Sequence, residues 1–412
     1  MALIVQKYGG TSVADAECIR KVARRVVDTH EAGNQVVVCV SAMAGETNAL
    51  VDLARELGGA RPPAREYDVL VSTGEQKTIA LLAMAIQGLG HKARSFTGAQ
   101  MAMRTDGSHT RARIESIDSE RLLRVLADGA IAVIAGFQGV DADGNITTLG
   151  RGGSDTSAVA VACALGADRC EIYTDVDGVH TADPNLVDGA RKLDHVSYNE
   201  MLEMASLGAK VLQIRAVKIA MRYGLPIHVR STFGSDEGTW VVREEDVMER
   251  LVVSGVTYNR DEAKIRVKGV KDEPGVAGQI FTPLAASGIV VDMIVQNLSS
   301  DGTTDVTFTV PRGDYARALE IAEKEVPRTG ATTVEGDEHI AKVSIVGLGM
   351  QDHAGVATRM FGVLASESIN IQMITTSEIK ISVVIEEKYT ELAVRALHAA
   401  FIEDGAAEPT AE

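Results

Sequence analysis

Two stretches of the chain, "DEPGVAGQIFTPLAASGIVVDMI" from Asp272 and "DHAGVATRMFGVLASESINIQMI" from Asp352, align at a constant offset of 80 residues. Ten of the 23 aligned positions are identical, among them Gly275/Gly355, Phe281/Phe361, Leu284/Leu364, Ile289/Ile369 and Met293/Met373. Each unit reads as strand, Asp-x-x-Gly turn, amphipathic helix, strand, strand, helix. Two copies are too few for a solenoid, which needs about three units. The repeat therefore predicts a pair of small α+β domains. The first copy closes with a strand pattern, "ATTVE" from Ala331, whereas the second is followed only by "EDGAAEPTAE". That tail cannot supply a core strand, and "LVVSGVTY" from Leu251 has no other use. We expect it to complete the second copy's sheet, which nests the first domain (263–336) inside the second (248–262 plus 337–412).

The chain ahead of the repeat has a different character, and the charged stretch "VVREEDVM" around Val241–Met248 marks the boundary of a first domain, 1–247. "ALIVQ", "QVVVCVS" from Gln35, "IAVIAGF" from Ile131 and "RCEIYTD" from Arg169 are short, continuous apolar runs, as strands buried on both faces require. Helical patterns alternate with them at 14–32, 76–89, 119–127, 154–165 and 209–223. The alternation predicts an α/β domain with a mainly parallel sheet sandwiched by helices. Asp143-Gly144 marks a hairpin before Arg151. "GARPPARE", around Pro62-Pro63, reads as a surface loop.

At 412 residues the chain is too long for one compact core, so two or three domains are expected. With 41 basic against 57 acidic residues the net charge is −16, which excludes a binder of nucleic-acid backbones. Any phosphate must be held by a few placed groups. Cys18, Cys39, Cys163 and Cys170 form no CxxC pair and read as reduced thiols of a cytosolic protein. No apolar run reaches membrane-spanning length, and "MALIVQK" is too short for a signal peptide.

Three glycine-rich or acidic turns carry the chemistry. "KYGGTSV" (Lys7–Val13) leaves the first strand. Its glycines allow close backbone approach, Thr11 or Ser12 can cap the following helix, and Lys7 adds a full charge, so the turn suits a phosphate. A plain tight turn with a surface lysine would look the same. "GRGGSDTS" (Gly150–Ser157) opens an alanine-rich helix suited to an anion or a carboxylate, with Arg151 able to grip a carboxylate bidentately. "TDVDGVHTADP" (Thr174–Pro184) ends a buried strand, where carboxylates suit a ribose or a magnesium shell; the glutamate that closes an EF-hand loop is absent. Ser41 ends "VVVCVS", and Ser72-Thr73-Gly74-Glu75 reads as the start of a helix, where an acid also favours the dipole. The Walker A and dinucleotide fingerprints are missing, which argues against an oxidoreductase.

Taken in order, "KYGGTSV", "VSAM", "STGE", "GRGGSDTSA", "TDVDGV.TADP", "GAKV" and the duplicated unit resemble the aspartate kinases of the amino acid kinase family over essentially the whole chain. The two repeats are similar to ACT domains, regulatory modules that bind amino acids. The length, with no dehydrogenase domain following, resembles the monofunctional bacterial type. The resemblance implies phosphoryl transfer from Mg-ATP to the side chain of L-aspartate, the first step towards lysine, threonine and methionine. It implies ATP contacts from Lys7, Gly9, Gly10, Ser41, Thr174, Asp175, His180, Asp183 and Lys210, and aspartate contacts from Thr47, Glu75, Arg151, Gly152, Gly153 and Ser154. Lys7, Arg151 and Asp155 would be the catalytic set, with Mg²⁺ arriving on ATP and no protein cage for it. His180 stands where relatives often carry tyrosine, and "VLQIR" stands where many carry "VLHPR".

An aspartate side chain is already ionised at neutral pH and needs no general base. The obstacle is repulsion between two anions, which cations and N–H donors must relieve. Arg151 would hold the α-carboxylate and Glu75 the α-ammonium, with Asp155 organising Lys7 or the metal shell. In the repeats, the resemblance implies effector contacts from Asp272, Gly275, Gln296, Asn297, Asn370, Ile371 and Gln372, with lysine and threonine as effectors. It also implies a homo-oligomer through the ACT domains, or a hetero-oligomer with a small subunit begun internally near Val247-Met248. Two alternatives stay open: a related kinase acting on another small carboxylate or on UMP, and an amino-acid sensor with an inactive kinase domain.

Overall fold

The computed structural model describes residues 1–206, 211–234, 236–247, 252–298 and 302–403. They fall into two compact units. One contains Met1–His180, Lys192–Ser206 and the described residues up to 247; the other contains Thr181–Arg191 and the described residues from 252 onward.

The four apolar runs expected as buried strands become neighbours in the middle of an eight-stranded sheet. Arg169–Thr174, Leu3–Tyr8, Gln35–Val40 and Ile131–Ala135 lie side by side and parallel, in that order. The period-two pleat sends Val36, Val38 and Val40 into a core shared with Val22 and Val26 of helix Ala16–Glu31 and with Ile79, Leu82 and Ile86 of helix Ala64–Gly88. Cys39, between them, faces the other way, towards helix Gly153–Leu165, where its thiol lies 3.6 Å from the Ser154 carbonyl. Helices thus cover both faces of the sheet. A smaller sheet carries the hairpin between Gln138–Val140 and Ile146–Thr148, with Gly144 at φ 84° supplying the turn.

Two sequence expectations need correction. Helix Ala64–Gly88 spans 25 residues, so "ARE" is its first turn rather than loop, and Ser72–Glu75 lies in its middle rather than at its start. The polar "STGE" interrupts the apolar run, yet Asp68, Ser72, Glu75 and Thr78 occupy its buried face along with Val71, Ile79 and Leu82. Burial there is polar, and hydropathy alone does not register it. This helix is also long and apolar enough to span a membrane, with half of its most apolar window buried in the protein. By compactness, Thr181–Arg191 groups with the second unit.

In that second unit the repeat builds two antiparallel four-stranded sheets. Strands Ile294–Leu298, Thr303–Val310, Ala263–Lys271 and Thr333–Asp337 form one. Gly255–Asn259, Ile340–Val346, Lys380–Glu386 and Met373–Ser377 form the other. The nesting is present: Gly255–Asn259 pairs with Ile340–Val346 of the second copy, ahead of the whole first copy in sequence. The copies meet through repeat-equivalent residues. Met293 and Met373 share a small core with Ile340 and Val384. Lys342 of the second copy binds Asp292 of the first and Glu262, which immediately precedes the first copy, and Lys264 of the first binds Gln372 of the second.

Candidate active site

The parallel strands end together, and the loops beyond their carboxyl ends are where ligands collect in such sheets. Strand Leu3–Tyr8 delivers Lys7 to this edge, and Gly9 and Gly10 follow at once. Neither glycine relies on a left-handed backbone, since Gly10 has φ −59°. Their use is close approach. A Cβ on Gly9 would stand 3.4 Å from the Lys7 ammonium, and one on Gly10 only 3.0 Å from the Ala42 carbonyl. Just beyond the next strand, Gln35–Val40, the Ser41 N–H donates to the Tyr8 carbonyl (3.1 Å) and so holds the two turns together.

Asp155, in the first turn of helix Gly153–Leu165, places Oδ1 2.7 Å from Lys7 Nζ, with both side chains largely buried. Glu75 enters from the middle of its helix. Its Oε1 accepts the Ala42 N–H (3.0 Å), while Oε2 is buried without a hydrogen-bond partner among the described residues. Burial pushes the Glu75 carboxyl up to about 7, against the opposing pull of the Ala42 N–H. One buried thiol reports how close these charges lie. Burial raises Cys39 strongly, Lys7 draws it down, and Asp155 and Glu75 push it up.

The turn before helix Gly153–Leu165 is held by residues that motif reading did not single out for the site. Gly152 has φ 65°, and a Cβ there would lie 2.4 Å from Gln213 Nε2, which donates to the Arg151 carbonyl (2.8 Å). Phe137, itself at φ 70°, backs Gly153, where a Cβ would fall 2.8 Å from its ring. The only signal for Gln213 was its place in "VLQIR"; nothing local marked Phe137. Arg151 itself is exposed, Ser154 is buried, and Thr47 is half-buried in the first turn of helix Glu46–Gly58.

Thr174 and Asp175 lie at the end of the strand paired with Leu3–Tyr8, the Thr174 hydroxyl donating to Asp175 (3.0 Å). His180 Nε2 lies 3.3 Å from Asp177 Oδ1 in the same loop. Asp183 belongs to the second unit, where it accepts from Asn185 and from the Tyr258 hydroxyl. Lys210 lies outside the described residues. Lys7, Gly9, Gly10, Ser41, Glu75 and Asp155 are thus gathered by direct contacts, and Thr174 and Asp175 adjoin them through sheet pairing.

Of the expected effector positions, Gly275 is the left-handed cap (φ 95°) of helix Val276–Ala286, and Gly355 repeats it at φ 94°. Asp272, Gln296, Asn297 and Asn370 are exposed and Ile371 is half-buried. Gln372 is engaged by Lys264.

Comparison with known proteins places this geometry. The profile of the amino acid kinase family matches residues 2–231, and that of the ACT domain matches 265–326 and 343–401. An aspartate kinase of Stutzerimonas stutzeri is 58% identical over 413 residues, covering 100% of both chains. Among solved structures, E. coli aspartokinase III in complex with aspartate and ADP, in its R-state, is similar with a TM-score of 0.84 at 27% identity, over 97% of this chain and 99% of that one. The same E. coli enzyme in complex with lysine and aspartate, in its T-state, gives 0.77 at 27% identity over the same shares.

Proposed function

The chain belongs to the aspartate kinases of the amino acid kinase family, and from that premise we propose that Lys7 and Asp155 manage the transferring phosphoryl group while Glu75 and Arg151 hold the aspartate. The reaction moves the terminal phosphoryl group of ATP to the side-chain carboxylate of L-aspartate, giving 4-phospho-L-aspartate and ADP. It supplies the first step towards lysine, threonine and methionine. Four free thiols, Cys18, Cys39, Cys163 and Cys170, support a cytoplasmic setting.

The nucleophile needs no base, so the residues act by position and charge. Asp155 fixes the Lys7 ammonium beside Gly9, ready to meet phosphate oxygens without reorganising. The N-terminus of helix Gly153–Leu165 adds N–H dipoles on the same side. Mg²⁺, when bound with the nucleotide, neutralises phosphate charge.

The observation that carries the substrate assignment is the buried Oε2 of Glu75, unpartnered among the described residues. A carboxylate oxygen kept from water lacks a donor, and the α-ammonium of an amino acid supplies one. Trapping the acyl phosphate with hydroxylamine tests this. Aspartate should be turned over with Mg-ATP, and N-acetylaspartate and succinate, which lack the ammonium, should be poor substrates. Equal turnover of succinate would remove the role given to Glu75.

The repeats bind lysine, threonine or both in this reading, at the Asp-x-x-Gly turns and the neighbouring strand ends, and shift the enzyme between active and inactive packings. The chain assembles through these domains. Ile294 and Ile374, equivalent in the repeat, lie on the edge strands of the two sheets and are 54% and 42% exposed.

A further inference from the structure

Helix Ala64–Gly88 brings a second carboxylate inward besides Glu75. Asp68, about two turns earlier on the same buried face, is fully enclosed. It accepts from four donors, all on two other segments. The Thr148 N–H (3.0 Å) and hydroxyl (2.6 Å) come from the end of strand Ile146–Thr148. The Thr110 N–H reaches both oxygens (3.1 and 3.0 Å), and His109 Nδ1–H donates to Oδ2 at 2.9 Å. Thr110 holds a left-handed backbone, φ 69°, without being glycine, a conformation that persists only where its surroundings fix it.

Arg215 ties the same two segments from another helix. From the first turn of Ile214–Tyr223, its Nη1 donates to the Leu149 carbonyl (2.6 Å) and its Nη2 to the Ala112 carbonyl (2.9 Å). The Ala112 N–H donates in turn to the Thr148 carbonyl (2.8 Å). A Cβ on Gly150 would stand 3.2 Å from the Thr110 carbonyl, so the two backbones run in close contact. The next residue is Arg151, whose carbonyl accepts from Gln213, two positions before Arg215. The turn that presents Arg151 is therefore fastened by Asp68 and Arg215 on one flank and by Gln213 on the other.

We propose that Asp68 and Arg215 are positioning residues for aspartate: they fix the Arg151 turn, and so the place where Arg151 meets the α-carboxylate. The inference rests on the reading that gives Arg151 and Glu75 to the substrate. Both receptors then share one frame, because helix Ala64–Gly88 carries Glu75 directly and steadies the Arg151 turn through Asp68. A receptor displaced by about 1 Å is enough to weaken a substrate held at two ends.

The test uses the full-length chain with Arg215→Lys, Arg215→Met, Asp68→Ala, Asp68→Asn, Arg151→Ala, and Arg151→Ala combined with Arg215→Lys. It reads KM for aspartate and for ATP, and the melting temperature. Arg215→Lys keeps the charge, but one ammonium cannot span two carbonyls as the guanidinium fork does. Asp68→Asn keeps an oxygen for the Thr110 and Thr148 N–H groups and turns its amide to the Thr148 hydroxyl, so it is the conservative change. Arg215→Lys, Arg215→Met and Asp68→Ala should each raise the KM for aspartate by about 5- to 20-fold, with the KM for ATP within about 2-fold. Asp68→Asn should stay within about 3-fold of the wild type for aspartate. Arg151→Ala should weaken aspartate by itself, and adding Arg215→Lys should weaken it no further. A wild-type KM in Arg215→Lys beside a raised one in Arg215→Met would reduce Arg215 to its charge and overturn the proposal. Additive effects of Arg151→Ala and Arg215→Lys would do the same, since Arg215 would not act through Arg151. Equal weakening of both substrates, with a lowered melting temperature, would leave Asp68 and Arg215 as packing residues. A wild-type KM for aspartate in Arg151→Ala would instead remove the reading of Arg151, and the inference with it. The Arg215 variants decide the matter even where Asp68→Ala does not fold.

Discussion

Lys7 Nζ and Asp155 Oδ1 lie 2.7 Å apart, joining the end of the first strand to the first turn of a helix that begins far along the chain. In the proposed mechanism the pair puts a fixed cation where two anions meet, and its two members should fail differently. Lys7→Ala removes the charge and should lower kcat by about 10²- to 10³-fold, the scale for losing one preorganised donor. Asp155→Asn leaves the charge and loosens its position, so a smaller fall is expected. Steady-state kinetics decide it: a Lys7→Ala enzyme with most of its activity would end the phosphate assignment.

The role proposed for Glu75 would make aspartate binding sensitive to pH. Its carboxyl, pushed up to about 7 by burial, must be ionised to receive an ammonium. The kcat/KM for aspartate should therefore climb as pH rises to about 7 and level off above it, since this ratio reports the free enzyme. Stability of the ligand-free protein should move the other way. A raised folded-state pKa favours the protonated form, so the fold is most stable below the ordinary carboxylate range. It loses up to about 3 kcal/mol as pH rises from there through 7. Glu75→Gln should flatten both profiles, and an unchanged kcat/KM profile in that variant would assign the titration to another group.

Gly152 and Gln213 should be coupled. Gly152→Ala strains a left-handed residue by about 1–2 kcal/mol and drives a methyl into the Gln213 amide that holds the Arg151 carbonyl. It should raise the KM for aspartate and lower the melting temperature. Adding Gln213→Ala to Gly152→Ala should restore part of the stability, because the two closest atoms, Nε2 and Cγ, are removed and only the 2.9 Å approach to the Gln213 Cβ remains. Strict additivity of the two changes would mean that the side chain moves aside at no cost.

Lys342, 5% exposed, answers Glu262, 6% exposed, at 2.8 Å within the regulatory unit. Lys342→Met leaves a buried carboxylate without its cation and should cost about 3–5 kcal/mol in the regulatory unit, whereas Lys342→Met with Glu262→Gln should be milder. Calorimetric unfolding of the three proteins gives the comparison. Equal destabilisation by the single and double variants would show that the pair matters through packing alone.

Ile294→Asp places a charge on an edge strand and should dissociate the assembly, read as a fall in mass by light scattering. An unchanged mass would move the interface elsewhere on the chain.

Much of this molecule was legible before any tertiary structure. Strands such as Gln35–Val40 and Ile131–Ala135 are buried on both faces, so their identity is written as unbroken apolar runs. The repeat at an offset of 80 announced two similar domains, and the unused strand near Tyr258 announced the nesting. The glycine turns at Gly9-Gly10 and Gly152-Gly153 declared themselves because close approach and a left-handed backbone demand glycine. Glu75 was harder: it occupies the buried face of a helix whose polar residues disguise its periodicity.

What the sequence determined by itself is thus what depends on neighbours along the chain: element type, turn chemistry, duplication and a set of charged residues able to serve phosphoryl transfer. Tertiary structure alone decided which charge faces which. It paired Lys7 with Asp155, left Glu75 Oε2 without a donor among the described residues, set Gln213 against Gly152 and gave Asp183 to the sheet of Tyr258. The physical reason is range. Backbone propensities and burial periodicity act over a few residues and leave local traces, whereas electrostatic and hydrogen-bond partners act over a few ångströms in space and leave none.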